Sequence, residues 1–490
     1  MRNIFKNFFN KAAYKSLSKD HGWNAPSSST ANRTLLPHLT ELQDQSSELV
    51  RNEAVGSMIL NNLELGSIGS GLKPNSSPDF EILGIKEVEA SKWASKAEKL
   101  FSLWANSKEC TLSKDMTFNE LEKLVFRSTL EFGDTVVLRR EKKDSHFPLC
   151  LQAFEGNRLG TPIEKEGNEN IKEGVEISPI TGETKAFYLR NKETELDEFT
   201  YKKIKKLDDE GNTQATIIKN TKRLSQNRGE PLLTVVSPLI RVLGKYVKGE
   251  LDISALSSYI SFIVKSSDGS SVLPDHGVVG YGDDNKTQTP TATDLKPRSV
   301  ISLNPGEDLS LLDPKRPNSS FQAFVDHIIG LIAAEVGLPA EALLSKFTSS
   351  YSASRASLLI AQRTYKSKRE WIVNGLHNQV WAWFIESCVA KGHLNAPGFF
   401  ENELIKQAYL SVTFTGSGCL QIDSAKEAQG MQALYDLGVT SKQEICKTMG
   451  INYDTIISQR LKENENDGTT EEQTNGNGKE STGKPDEVIS

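Results

Sequence analysis

Apolar residues recur at helical spacing through Leu42, Leu49, Val55, Met58, Ile59 and Leu63, and the run meets Gly66, Gly69 and Gly71. That pattern predicts a helix, a stop and a turn. Trp93, Leu100, Phe101, Leu103 and Trp104 mark a second helix. A third opens at Thr117, an N-cap with Glu120 three residues on, carries Phe118, Leu121, Leu124, Val125 and Leu130, and stops at Gly133. The period then changes. Thr135-Val136-Val137-Leu138 and Ala186-Phe187-Tyr188-Leu189 are β-branched and aromatic runs bounded by turn residues, which predict strands. The Gly-, Asn- and Glu-rich stretch 155–170 between them reads as a surface excursion.

After Pro238 a helical pattern returns through Leu239, Leu243, Tyr246, Val247, Leu251, Ala255, Tyr259 and Phe262, weakened by Gly244 and Gly249. The stretch 266–298 has little pattern. Two short strand signals follow, Val300-Ile301-Ser302-Leu303 and Leu309-Ser310-Leu311-Leu312, separated by the turn Asn304-Pro305-Gly306-Glu307. Pro317-Asn318-Ser319 opens a helix with Phe321, Phe324, Val325, Ile328, Ile329 and Ile332, which ends at Gly337-Leu338-Pro339. A polar segment from Ser345 to Ser352 leads into the longest helical pattern, Ser354 to Lys391, roughly 57 Å at 1.5 Å per residue. From Ser424 to Leu461 the spacing predicts two or three short helices broken at Gly438 and Gly450. Residues 21–34 are polar and Ser-rich and read as a linker. Beyond Glu463 the chain is Asn, Gly, Glu, Thr and Ser, predicted to be a disordered acidic tail.

Length and charge narrow the classes. At 490 residues the chain has room for more than one structural unit, and its 37% hydrophobic and 25% charged content is ordinary for a folded protein. A net charge of -6 argues against tight binding of nucleic acid through phosphates, but not against a protein that surrounds DNA and lets it slide. Cys110, Cys150, Cys388, Cys419 and Cys446 are odd in number and lack CxxC spacing, so neither a disulfide framework nor a zinc knuckle is expected. No apolar run approaches the length of a membrane span. Near the N-terminus Ile4, Phe5, Phe8, Phe9, Ala12 and Ala13 alternate with Lys6, Lys11 and Lys15. This is the pattern of an arm docking on a neighbouring subunit, of a membrane-surface helix or of a transit peptide.

Enzyme signatures are weak. Gly478-Lys479-Glu480-Ser481-Thr482-Gly483-Lys484 fits GxxxxGK, but Pro485 stands where a magnesium-binding hydroxyl belongs, and the string lies in the acidic tail. The glycines at 66, 69 and 71 have the wrong spacing for a dinucleotide loop. The histidines form no HExxH pair; His327 and His377 read as packing residues on helices. Lys202, Lys203, Lys205 and Lys206 sit beside Asp208, Asp209 and Glu210, mixed signs that favour a solvated turn over a phosphate patch. No residue constellation nominates a chemistry. The chain is therefore expected to be no enzyme and to need no cofactor or metal.

The sequence resembles the lambda-type family of phage portal proteins. Leu49-Val50-Arg51-Asn52-Glu53-Ala54, continuing to Gly69-Ser70-Gly71, is similar to the family's Arg-Asn helix ending in a glycine turn. Trp93 and Trp104, Thr117-Phe118 through Phe132-Gly133-Asp134, Phe154-Glu155-Gly156-Asn157-Arg158-Leu159 and Gly174-Val175-Glu176 follow in order. Arg228-Gly229-Glu230-Pro231 precedes a long helix, and Leu303-Asn304-Pro305-Gly306-Glu307 resembles a Leu-x-Pro-Gly-Glu turn. Ala333-Ala334-Glu335-Val336-Gly337-Leu338-Pro339, Tyr351-Ser352-Ala353-Ser354-Arg355-Ala356, Ile422-Asp423-Ser424-Ala425-Lys426-Glu427 and Gly438-Val439-Thr440 complete the series. Two features depart. Lys346 and Ser350 occupy the neighbourhood of the acidic residue and Asn often found before the Tyr-Ser segment. Thr415-Gly416-Ser417-Gly418 stands where a tryptophan is expected before Ile-Asp.

The resemblance implies an α+β portal fold with a wing, a two-helix stem, an α/β clip and a helical crown, assembling as a cyclic ring of about twelve subunits. On this chain it implies an N-terminal arm and linker at 1–41, a wing from 42–237 and 354–423, and stem helices at 238–265 and 317–344. The clip would be 266–316, a tunnel loop 345–353, a crown 424–462 and a tail 463–490. The implied function is a channel at one capsid vertex for packaging and ejecting DNA. Implied partners are passing double-stranded DNA, the terminase large subunit, the major capsid protein and head-tail adaptor proteins. The location implied is the virion, and the host cytoplasm during assembly. The implied DNA-facing residues are Lys346, Phe347, Thr348, Ser349, Ser350 and Tyr351, in a bore with few basic groups. The other readings are a head-completion or scaffold-like protein without a channel, and an enzyme of unrecognised type.

Overall fold

In the computed structural model the described residues are 29–142, 145–191, 200–258, 262–266, 307–311, 320–416, 424–451, 453 and 456–464. The N-terminal amphipathic stretch, the strand signal at 300–303 and the GxxxxGK string lie outside them. By compactness the chain divides into residues 1–237 with 333–490, and residues 238–332.

The first unit begins earlier than the sequence pattern suggests. Helix α1 (Ala31–Leu35) occupies the end of the expected linker, because Ala31 and Leu35 are buried. The expected helix at 42–63 is two helices, α2 (Leu39–Asn52) and α3 (Ala54–Ser67), parted where Glu53 adopts an extended backbone. The glycines do not all stop α3. Gly66 lies inside it, and only Gly69 and Gly71 take the positive φ of a turn. A short helix, α4 (Phe80–Leu83), is followed by α5 (Glu87–Ala105) and α6 (Phe118–Phe132). The capping box of α6 is present, with the Thr117 backbone N–H donating to Glu120 at 2.7 Å, and α6 ends at Gly133 with φ of 90°.

Strand β1 (Lys73–Ser76) pairs antiparallel with the late strand β11 (Val412–Thr415). Strand β2 (Asp134–Glu141) is the centre of a three-stranded sheet, flanked by β3 (Leu149–Glu155) and β8 (Ala215–Lys219). A second antiparallel sheet runs β4 (Ile171–Lys172), β5 (Val175–Ile177), β6 (Thr184–Asn191) and β7 (Thr200–Lys205). Val136, Leu138, Val175, Phe187, Leu189 and Ile204 bury a common core from both sheets. The lysine cluster is on strand β7 and its continuation, not in a turn. Carboxylates neutralise it as expected: Lys203 meets Glu176, Lys205 meets Asp209 and Lys206 meets Glu183.

The smaller unit contains helix α7 (Ser237–Ser258), which starts at the boundary, and most of helix α8 (Phe321–Glu335). Tyr246 stacks on Phe321 at 5.6 Å and meets Phe324 edge-on at 4.8 Å, pairing the two helices. The helical pattern that reached Phe262 is overridden there. Phe262 opens strand β9 (Phe262–Ser266), which pairs antiparallel with β10 (Glu307–Leu311). An aromatic and β-branched run such as Phe262-Ile263-Val264 suits a strand once a partner strand is available.

Helices α9 (Ala340–Leu344), α10 (Tyr351–Ile372), α11 (Asn378–Ala390) and α12 (Glu403–Leu410) return to the large unit. The expected long helix is α10 and α11 joined by a π-helical turn at Val373–His377. Trp371 and Trp383 donate to the backbone carbonyls of Lys219 and Thr213, tying it to the β8 region. Phe101, Trp104, Phe118, Trp381 and Phe384 form an aromatic core with ring centroids 5.2–6.4 Å apart. Helices α13 (Ser424–Asp436) and α14 (Lys442–Thr448) follow, with Gly438 and Gly450 in the left-handed region after each.

Candidate DNA-channel segment

The candidate segment follows two successive helix ends of the same kind. At Gly337 the chain leaves α8 with φ of +77°; Leu338 N–H donates to Ala333 O at 2.9 Å and Gly337 N–H to Ala334 O at 3.1 Å. This is a Schellman closure, with glycine where a side chain would be strained. Pro339 caps the next helix, α9, whose Ala342 and Leu343 are buried. Asn62 on α3 donates to Leu343 O at 3.1 Å. The same closure recurs at Ser345, with φ of 51°: Lys346 N–H donates to Glu341 O at 3.0 Å and Ser345 N–H to Ala342 O at 3.3 Å.

From there Lys346, Phe347, Thr348, Ser349 and Ser350 form an exposed connection, and Tyr351 is already the first residue of α10. The expected loop 345–353 is thus 345–350, because Ser350 is the N-cap of α10 and residues 351–353 are helical. Phe347 and Tyr351 are about half exposed. The Ser349 hydroxyl donates to the Glu341 carboxylate, which holds the loop back onto α9. Glu341 was not among the expected residues. Its position eight residues before Ser349 gives no periodic signal, since the chain reverses between them.

Helix α10 carries the segment's charge. Between Ser345 and Ile372 there are six cations, Lys346, Arg355, Arg363, Lys366, Lys368 and Arg369, against the single carboxylate Glu370. Arg369 donates to the carbonyls of Ser67 and Gly66, and Lys368 lies over the Trp371 ring at 5.5 Å. Burial pushes the Lys368 ammonium below its ordinary range, and nearby Lys222 adds to the effect. Burial likewise raises the Tyr365 phenol, whose ring lies on Gly66.

The far end of the helix is pinned beneath the surface. His377 and Glu122 are fully buried and meet at 2.5 Å, and Glu122 also accepts the Leu72 N–H at 3.1 Å. His377 is a satisfied packing residue, as the sequence suggests. A cleft of about 480 Å³ beside the π-turn is lined by Thr216, Asn374, Asn378, Gln379 and Gln407. Its amides and hydroxyls supply neither a nucleophile with a base nor a metal-ligand set.

A family model described as phage portal protein, lambda family, matches residues 17–369, well over half of the chain. The chain belongs to the lambda family of phage portal proteins. The portal protein of Escherichia phage N15 is 21% identical over 469 residues, covering 90% of this chain and 87% of that one. Portal protein B of Escherichia phage lambda is 20% identical over 468 residues, covering 90% and 86%. Among solved structures, a chain from the neck of a native GTA particle computed with C12 symmetry aligns with a TM-score of 0.46 and 12% identity, over 83% of this portal chain and 93% of that chain. A chain from the virion of a native gene transfer agent particle aligns with a TM-score of 0.45 and 12% identity, over 84% and 93%.

Proposed function

We propose that this portal chain is one subunit of a closed ring of about a dozen copies that forms the DNA channel at one capsid vertex. The observation that carries the reading is the family match across 17–369. In the ring the large unit supplies the wing, and helices α7 and α8 the stem. The stretch 266–316 forms the clip, 345–350 the tunnel loop and α13 with α14 the crown. Two features support this division. A separate compact unit starts at Pro238, where α7 begins, and the 345–350 connection is short, polar and exposed. The role is structural, with no catalytic step. The clip takes the terminase large subunit during packaging and head-tail adaptor proteins afterwards, while the wing meets the major capsid protein. The subunit assembles in the host cytoplasm and ends in the virion.

Exposed apolar side chains on α10, Leu359 and Ile360 among them, suit burial against a neighbouring subunit. The test is electron microscopy of the purified full chain. Rings with a central hole wide enough for duplex DNA are expected. A stable monomer at micromolar concentration, or closed oligomers with no such hole, would overturn the reading in favour of a head-completion or scaffold role.

A further inference from the structure

Among the described residues Cys110, Cys150, Cys388 and Cys446 are free thiols. Two of them, distant in sequence, are neighbours in the fold. Cys110 ends the short 3-10 turn Lys108–Cys110 between α5 and α6, and Cys150 lies on β3. The residues that follow them, Thr111 and Leu151, form a parallel bridge, and the Leu112 N–H donates to Leu151 O at 2.9 Å. Cys110 and Cys150 are therefore the adjoining pair of the same register. Neighbouring strands lie about 4.8 Å apart, inside the roughly 4.4–6.8 Å Cα separation that a disulfide spans. Both side chains are fully buried.

The two thiols share their surroundings. Burial is the largest influence and raises both, Cys110 to about 12, while the Lys142 ammonium opposes it at both. The Cys150 thiol raises Cys110 further, an effect that requires proximity. Lys142 is held beside them: its Nζ donates to Thr111 O at 3.0 Å and meets the Glu109 carboxylate at 3.5 Å. Cys388 is the contrast. It is buried as deeply and raised as far, but burial is the only cause. Packing alone accounts for Cys388. Two thiols in register with a cation beside them form a dithiol site.

We propose that Cys110 and Cys150 are a redox pair, reduced when the chain folds and joined by a peroxide-driven disulfide within the subunit under oxidising conditions. Hydrogen peroxide is small enough to enter where a bulky disulfide reagent is not. In the first step one sulfur attacks the peroxide: an S–O bond forms, the O–O bond breaks, and the departing oxygen leaves as water with the thiol's proton. In the second the other sulfur attacks the sulfenic acid: the S–S bond forms, the S–O bond breaks, and the second oxygen leaves as water. The sulfurs lose two electrons and the peroxide gains them. Only a thiolate attacks, so burial makes the link slow to form and shields it from reductants afterwards. It closes the chain from 110 to 150 around α6 and β2, which restricts the unfolded chain and stabilises the fold. The sequence-based expectation of no disulfide framework stands, since this is one conditional link. The pair stands on the fold alone. Its timing rests on the reading of assembly in the reducing host cytoplasm followed by release in a virion, where disulfides persist.

The test treats native full-length protein with hydrogen peroxide, at a dose raised until Cys446 is oxidised. Remaining thiols are then blocked in denaturant, and tryptic peptides are mapped by mass spectrometry without reduction. Trypsin separates the two cysteines, because Lys108 and Lys114 bracket one and Lys143 and Arg158 the other. The expected product is the peptide 109–114 linked to 144–158, in a subunit that runs as a monomer on a non-reducing denaturing gel. Oxidised wild type is expected to show a raised thermal midpoint that dithiothreitol restores. Cys388→Ser is expected to form the link as wild type does. Cys110→Ser is expected to show no midpoint shift and to leave a sulfenic acid on Cys150 that dimedone traps. The link is read on wild type, so the decision does not depend on either variant folding. Absence of the 109–114/144–158 product when Cys446 is oxidised overturns the proposal. So does a product that joins Cys110 or Cys150 to another cysteine, or one that joins two subunits.

Discussion

Arg228 grips Asp134 with two hydrogen bonds, Nε to Oδ2 at 2.6 Å and Nη2 to Oδ1 at 3.0 Å, and both side chains are almost fully buried. Further hydrogen bonds surround the pair. Arg228 also donates to the carbonyls of Gly156 and Glu173, and Asp134 accepts the Gly229 N–H at 2.9 Å. Glycines make room for this node. A Cβ on Gly156 would stand 2.1 Å from Asp134 Oδ1, and one on Gly229 would stand 1.7 Å from Gly133 O. The clasp joins the start of β2 to residues 228–229, 94 positions later in the chain.

Asp134→Ala is therefore expected to destabilise the subunit by roughly 3–5 kcal/mol, because it leaves the Arg228 charge buried without its partner. Arg228→Lys is expected to be nearly as harmful, since an ammonium cannot reproduce the forked contact. Thermal unfolding of the full chain measures both. A fall in midpoint no larger than that of an exposed control such as Lys202→Ala would show that the clasp is dispensable.

Gly66 and Tyr365 test the packing of α10 on α3. Gly→Ala inside a helix ordinarily gains about 1 kcal/mol. Here a Cβ would stand 2.5 Å from the Tyr365 ring, and overpacking of that kind costs about 1–3 kcal/mol. The expected sign is thus reversed. Gly66→Ala destabilises in the wild-type background and becomes neutral or stabilising with Tyr365→Ala. Additive effects in the double mutant would show that the two residues do not meet in solution.

What the sequence made legible was local. The Thr117–Glu120 capping box, the stop at Gly133 and the helix end at Gly337 are each encoded within a few residues. The contacts that fix the fold are not. Asp134 and Arg228 are 94 residues apart, and Glu122 and His377 are 255 apart. Neither pair leaves a periodic trace, although the family resemblance touches Gly133-Asp134 and Arg228-Gly229 and so marks one pair indirectly. The strand at Phe262 was missed because apolar, β-branched residues suit either period in a short run. Its pairing partner begins only at Glu307. In the candidate segment the polar character was legible, but the Glu341–Ser349 bond depends on a chain reversal that begins with the left-handed Ser345.

Cysteine reactivity should follow burial. Desolvation pushes the Cys110 and Cys388 thiols up to about 12 and raises that of Cys150, whereas Cys446 is only half-buried. Brief alkylation of native protein at pH 8, read by mass spectrometry, is expected to modify Cys446 ahead of Cys110, Cys150 and Cys388. The folded thiols keep protons that unfolded thiols release near about 8.5. Their contribution to stability is therefore complete below that pH and is lost as pH rises toward about 12. A thermal midpoint that climbs between pH 8.5 and 10 would contradict this sign.

The 345–350 connection gives a sharp test of the channel reading. Ser349→Ala removes the hydroxyl that donates to Glu341, an exposed contact, so it is expected to change stability by no more than about 0.5 kcal/mol and to leave rings intact. Ser349→Lys with Ser350→Lys acts differently. Both positions are exposed, so folding is expected to survive, but around a ring the change adds a dense collar of positive charge beside Lys346. If that collar faces the bore, it attracts phosphates, and the attraction falls steeply with salt. The expected outcome is intact rings, packaging that slows or stalls at low salt, and recovery as salt rises. A DNA-packaging assay across a salt series, with ring integrity checked by microscopy, decides it. Normal packaging at every salt concentration would place these residues away from the DNA, while loss of rings would place them in the contact between subunits.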